Sequence, residues 1–124
     1  MEKPRVVFIN NSIIPVGEAK ISILDQSVQY GWGLFETIKV NNGNPVMIAE
    51  HIDRIFSSAS KFNIKVMLDK AELVASVDKF IKALGIDNFA LKIVFAKGID
   101  SSSSIFFTHR EIPYTQEDYK NGNT

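Results

Sequence analysis

The chain has 124 residues, 45% of them hydrophobic and 23% charged. That is about one domain's length, enough to bury a core without disulfides, and the composition excludes a disordered tail, a collagen repeat and a coiled coil. Fourteen Lys and Arg balance fourteen Asp and Glu, so nonspecific binding to nucleic acid or a membrane, which needs excess positive charge, is not expected. Cysteine is absent; this excludes a disulfide scaffold, a thiolate nucleophile and a cysteine-rich zinc site, and fits the cytosol. No apolar stretch approaches the ~20 residues of a membrane span, and no signal peptide is expected.

Residues 5–15 read as a hairpin, Val6 to Ile9 favouring a strand and Asn10-Asn11 supplying a turn that tolerates positive φ. Asn10-Asn11-Ser12 matches a glycosylation sequon, but the turn accounts for it. Residues 18–29 lack a clean period and read as loop, with a short extended piece at 20–23. Gly31-Trp32-Gly33 predicts a tight turn into a strand over 34–40; it lacks the third glycine and the following helix of a dinucleotide-binding loop. On that strand Phe35, Thr37 and Lys39 share one face, and Glu36, Ile38 and Val40 the other. Residues 41–44, Asn-Asn-Gly-Asn, are a strong turn signal, with a return strand expected over 45–48.

Two helices follow. Over 49–62, Ile52, Ile55, Phe56, Ala59 and Phe62 fall on one arc. The second has Asp69 as N-cap, Glu72 completing a capping box, Gly85 as left-handed cap, and a stripe through Leu73, Val74, Val77, Phe80, Ile81 and Leu84. Residues 89–96 alternate as a strand, 98–104 form a polar loop, and 105–112 supply the partner strand. The expected fold is α+β: a mostly antiparallel sheet with two helices packed on one face. A single domain over 1–113 and a polar, linker-like tail over 114–124 complete the organisation.

Few residues stand where chemistry needs them. His51 and Arg54, three apart, are neighbours on one flank of the first helix. An arginine there either snorkels to solvent or presents its fork to a phosphate or carboxylate; spacing alone favours the former. His51 and His109 are the only histidines and no acid–histidine cluster has ligand spacing, so no metal site is expected. No serine sits in a nucleophile elbow.

Taken together, Tyr30-Gly31-Trp32-Gly33-Leu34-Phe35-Glu36-Thr37, the turn at Asn42-Gly43, and Glu50-His51-Ile52-Asp53-Arg54-Ile55 resemble the N-terminal half of class IV aminotransferases. These are the fold-type IV pyridoxal-phosphate enzymes, which include branched-chain and D-amino acid aminotransferases and 4-amino-4-deoxychorismate lyases. Residues 91–98, a strand ending in a basic residue and a glycine, add to the likeness, which runs from about residue 7 to 122. The resemblance implies the small domain of that fold. It also implies pyridoxal 5′-phosphate as cofactor, with Arg54 contacting its phosphate and His51 in support, and Phe35 and Lys97 facing a small-molecule substrate. A homodimer is implied as well.

Three departures narrow the expectation. Trp32 stands where many members have an aspartate. Phe35 and Lys97 replace the tyrosine and arginine of D-amino acid aminotransferases, and lysine is no substitute for an arginine fork. Phe35-Glu36-Thr37 reads most like aminodeoxychorismate lyase. The family's Schiff-base lysine belongs to a second domain whose motif this sequence lacks, so no catalytic residue is assigned. The expectation is a domain or fragment of a larger enzyme, inactive alone. The alternatives are a non-catalytic α+β interaction module and a small binding protein for phosphorylated metabolites.

Overall fold

A computed structural model describes residues 5–99 and 103–111. Asn10 and Asn11 both take left-handed backbone, φ 45° and 75°; asparagine tolerates this region and so closes the hairpin of β1 (Val6–Ile9) on β2 (Ser12–Pro15). A single 3-10 turn (Val16–Glu18) and helix α1 (Gln26–Tyr30) lead to β3 (Gly33–Asn41) and β4 (Asn44–Pro45). Helices α2 (Ile48–Lys61) and α3 (Lys70–Leu84) precede β5 (Phe89–Ala96) and β6 (Ser104–Arg110). The six strands form one antiparallel sheet in the order β2-β1-β6-β5-β3-β4. This is the expected α+β arrangement, with one helix more than the sequence suggested. The predicted tail at 114–124 lies outside the described residues.

Strand alternation decides the packing. Ile38, Val40, Leu91, Ile93, Phe95, Ile105 and Phe107 are buried on one sheet face, where Ile52, Ile55 and Ala59 of α2 and Leu73, Val77 and Phe80 of α3 join them. Phe107 stacks on Phe8 with ring centroids 4.2 Å apart and meets Phe80 edge-on at 5.8 Å. Helix α3 starts and stops as its sequence requires. Asp69 accepts from the Glu72 backbone N–H at 2.8 Å, Glu72 accepts from the Asp69 N–H at 3.0 Å, and Gly85 takes φ 68°.

Two expectations are corrected. Residues 20–23 join no ladder, and the chain beyond them enters α1, capped by Asp25. The return strand at 45–48 is only Asn44–Pro45, extended by a bond from Val46 N–H to the Lys39 carbonyl (2.8 Å). Pro45 has no N–H to donate, and Met47 turns left-handed (φ 55°), so Ile48 already opens α2. Met47 is 62% exposed and caps nothing with its side chain. Left-handed backbone is unfavourable for such a residue by ~1 kcal/mol, and asparagine relieves it. Met47→Asn is therefore expected to stabilise the fold by about 0.5–1 kcal/mol, read as a raised urea midpoint at unchanged slope; a lowered midpoint would contradict the backbone argument.

Candidate functional site

The face of β3 that buries Ile38 and Val40 also carries Glu36. A carboxylate at the margin of a core needs donors, and α2 supplies them one turn apart. His51 Nδ1 lies 2.6 Å from Glu36 Oε1. Arg54 Nε donates to Oε2 at 3.0 Å and to Oε1 at 3.2 Å, and Nη2 donates to Oε1 at 2.9 Å. The side chains of Glu36 and His51 are 14% and 19% exposed, that of Arg54 62%. Burial pushes the Glu36 carboxyl upward; the bonds from Arg54 and His51, and their charge, outweigh it and hold the group below the usual glutamate range. Glu36 in turn raises the Arg54 guanidinium.

The 2.6 Å contact requires a proton on His51 Nδ1, because an unprotonated nitrogen would face the carboxylate lone pair to lone pair. Nδ1 then cannot also accept from Arg54 Nη2, 3.1 Å away. Both nitrogens are donors aimed at the same Oε1. Arg54 Nη1 takes part in none of these bonds, and the Arg54 side chain is the most exposed of the three.

A separate cleft of about 420 Å³ opens between the start of β3 and the end of α2, lined by Trp32, Leu34, Phe62, Ile64 and Lys97 among others. Glu36, His51 and Arg54 do not line it. The Lys97 ammonium donates to the carbonyls of Asn63 (2.7 Å) and Phe62 (3.5 Å), closing the C-terminal turn of α2. Gly31 supplies the left-handed cap of α1 (φ 73°), and a Cβ on Gly33 would sit 3.2 Å from the Phe95 carbonyl oxygen. The predicted turn at 31–33 is thus real, and its glycines are required by backbone shape and close approach.

The buried Asp25 carboxylate ties this wall together. It accepts from Ser27 N–H (2.8 Å), Ser27 Oγ (2.7 Å) and Gly98 N–H (3.1 Å). Burial pushes its pKa up, and the bonds from Ser27 and Gly98 more than reverse this, leaving it lowered.

Of the four residues singled out in the sequence, the structure brings His51 and Arg54 together and leaves Phe35 and Lys97 apart from them. Phe35 points from the opposite face of β3, 62% exposed, with Lys92 Nζ 4.7 Å from its ring centroid. Lys97 meets α2 roughly two turns beyond Arg54. Sequence reasoning missed Glu36 and Asp25. An acid sharing a strand face with Ile38 and Val40 was the signal for the first, and Asp25-Gln26-Ser27, an N-cap pattern, for the second. Among the described residues no group of three or more His, Cys, Asp or Glu could hold a metal ion, and no helix is long and apolar enough to cross a membrane.

Comparison with known proteins bears on this arrangement. Residues 33–123 match the sequence profile of the family described as Amino-transferase class IV. A D-alanine aminotransferase of Staphylococcus haemolyticus is 30% identical over 102 residues, 82% of this chain and 36% of the relative. A putative branched-chain-amino-acid aminotransferase of Methanocaldococcus jannaschii is 29% identical over 93 residues, 75% of this chain and 32% of that one. The crystal structure of a T.th. branched-chain amino acid aminotransferase with pyridoxamine 5′-phosphate superposes with a TM-score of 0.83 at 19% identity, covering 94% of this chain and 42% of that one. The enzyme from Thermoproteus uzoniensis, with norvaline, gives 0.79 at 22%, covering 89% and 41%. These structural likenesses speak for the fold. The chain spans from just under a third to under a half of the length of these relatives.

Proposed function

The chain belongs to the class IV aminotransferases, and from that premise we propose that it supplies the phosphate grip of a pyridoxal-phosphate enzyme, with Arg54 as the anion-binding residue. The observation that carries this is the Arg54 fork. A half-hidden carboxylate holds the Nε–Nη2 edge of the guanidinium, and Nη1, outside that pair on a side chain 62% exposed, is left to meet a phosphate oxygen. The donor set therefore fits the phosphate end of the cofactor. When bound, pyridoxal phosphate supplies an electron-withdrawing ring that stabilises negative charge at the carbon bearing the substrate's amino group.

The described residues fit the rest of that chemistry poorly. Lys97 lines the cleft, but its ammonium is engaged by two carbonyls, which makes it a weak amine nucleophile. Among the described residues none stands out as the amine nucleophile, so the stretch is read as the phosphate-binding part of such an enzyme and is expected to show no activity by itself. Transamination is favoured over elimination by the names of the relatives; elimination from aminodeoxychorismate rests on Phe35-Glu36-Thr37 alone. Substrate roles for Phe35 and Lys97 and a cytosolic homodimer rest on the family resemblance, with the absence of cysteine agreeing with the compartment.

Pyridoxamine 5′-phosphate is the probe of choice, because it carries no aldehyde to react with surface lysines. The full chain should bind it more tightly than pyridoxamine, and Arg54→Ala should reduce that preference by about tenfold or more, read by titrating the fluorescence of either compound. An Arg54→Ala chain with an unchanged preference would remove Arg54 from the phosphate site, as would a native chain with no preference at all. No transamination is expected from the purified chain in the presence of pyridoxal phosphate.

A further inference from the structure

We infer that Glu36 is the positioning residue of the phosphate site, fixing which part of the Arg54 guanidinium an anion meets. This rests on the assignment of the phosphate to Arg54 made above. A guanidinium carries five N–H donors on a planar fork and, when free, offers an anion any of its edges. Here the edge formed by Nε and Nη2 is closed by Glu36, at 3.0 Å to Oε2 and 2.9 Å to Oε1. Side-on bidentate pairing is withheld from an incoming phosphate, which meets the Nη1 end instead.

Burial separates this arrangement from an ordinary surface ion pair. Where both ends are exposed, two long side chains are held loosely. Here the anion is 14% exposed and sits within a strand whose ladder to β5 pairs it with Ile93, while the cation is 62% exposed. Glu36 is therefore the fixed member and Arg54 the adjustable one. His51 reinforces the fixed member: its Nδ1–H points at Oε1, not at the exposed end of Arg54. His51 thus acts through Glu36. A donor oriented in advance loses less freedom when its ligand arrives.

Glu36 also brings a negative charge close to the site, which by itself weakens anion binding. The two effects have opposite signs, so they can be told apart. Glu36→Gln keeps an acceptor for Arg54 and removes the charge; Glu36→Ala removes both. If Glu36 positions Arg54, the preference for pyridoxamine 5′-phosphate over pyridoxamine falls about tenfold in Glu36→Ala and no more than about threefold in Glu36→Gln. If Glu36 matters only as charge, both variants prefer the phosphate more strongly than the native chain, and the inference is overturned. An unchanged preference in Glu36→Ala overturns it too. Failure of the phosphate assignment is separate, because it shows in Arg54→Ala.

A second measurement needs no ligand. The Arg54 Nε–H should give a slowly exchanging proton–nitrogen NMR signal in the native chain and in Glu36→Gln, and lose it in Glu36→Ala. A rapidly exchanging Nε–H in the native chain overturns the inference whatever the titrations give. Should Glu36→Ala fail to fold, the native and Glu36→Gln signals still decide the matter.

Discussion

Phe107→Ala should destabilise the fold by about 3–5 kcal/mol. The ring is fully buried on β6, between β1 and β5 in the sheet, and it packs on three elements at once. It stacks on Phe8 of β1 (4.2 Å, 15°), meets Phe80 of α3 edge-on (5.8 Å, 75°), and lies opposite Ile93 of β5. Truncation removes the transfer energy of the ring and leaves a cavity that sheet residues fixed by ladder bonds are slow to fill. Domains of this size have ~5–15 kcal/mol in all, so the loss is a large fraction of the total stability. Phe106 provides the control. It is the neighbouring residue on the opposite sheet face and only half-buried, so Phe106→Ala should cost less than ~1.5 kcal/mol. Urea unfolding of both variants is the measurement; equal losses would mean that the two sheet faces are not as unequal as the burial pattern makes them.

That inequality was legible in the sequence, because a strand's period of two is a local property. Residues 89–96 and 105–110 alternate, and residues 34–40 separate Phe35 from Glu36 by construction of the pleat. Helix α3 was legible to its last residue, since Asp69, Glu72 and Gly85 are short-range signals that agree with the apolar stripe between them. Helix α1 was not. Five residues cannot show a helical period, and its cap is completed by Gly98, 73 positions away. The end of β4 escaped for another reason: the left-handed turn is at Met47, a residue type that gives no warning of positive φ.

The candidate site divides along the same line. His51 and Arg54 are three apart on one helix, so their meeting could be read directly. Their common partner comes from β3, 15 and 18 positions earlier, and only the incongruity of an acid beside Ile38 and Val40 announced it. Phe35 and Lys97 were grouped by resemblance. Neither joins the Arg54 cluster, because Phe35 is turned to the far sheet face and Lys97 is drawn to the carbonyls at the end of α2.

Asp25→Ala is the second substitution with a large expected effect, about 2–3 kcal/mol. It removes the cap of α1 and leaves Ser27 N–H, Ser27 Oγ–H and Gly98 N–H without their buried acceptor. The loss should be felt locally, because Asp25 holds Gly98 next to Lys97 and so steadies one wall of the cleft; hydrogen exchange at Gly98 N–H should accelerate more than at the centre of β5. The acid dependence has a definite sign. The folded pKa of Asp25 is lowered, so the unfolded chain binds its proton at higher pH than the folded one. Its contribution is complete above the unfolded value of ~3.9 and is lost as pH falls from there through the folded pKa. Glu36 is lowered too and adds a loss of the same sign. Asp25→Asn, which cannot titrate, should therefore be less stable than the native chain at about pH 7 yet lose less on acidification to about pH 3, with Glu36 supplying part of the remaining slope. Urea midpoints at the two pH values give both quantities. A slope in Asp25→Asn as steep as the native one would place the acid sensitivity elsewhere in the fold and leave the Asp25 bonds without the electrostatic weight assigned to them.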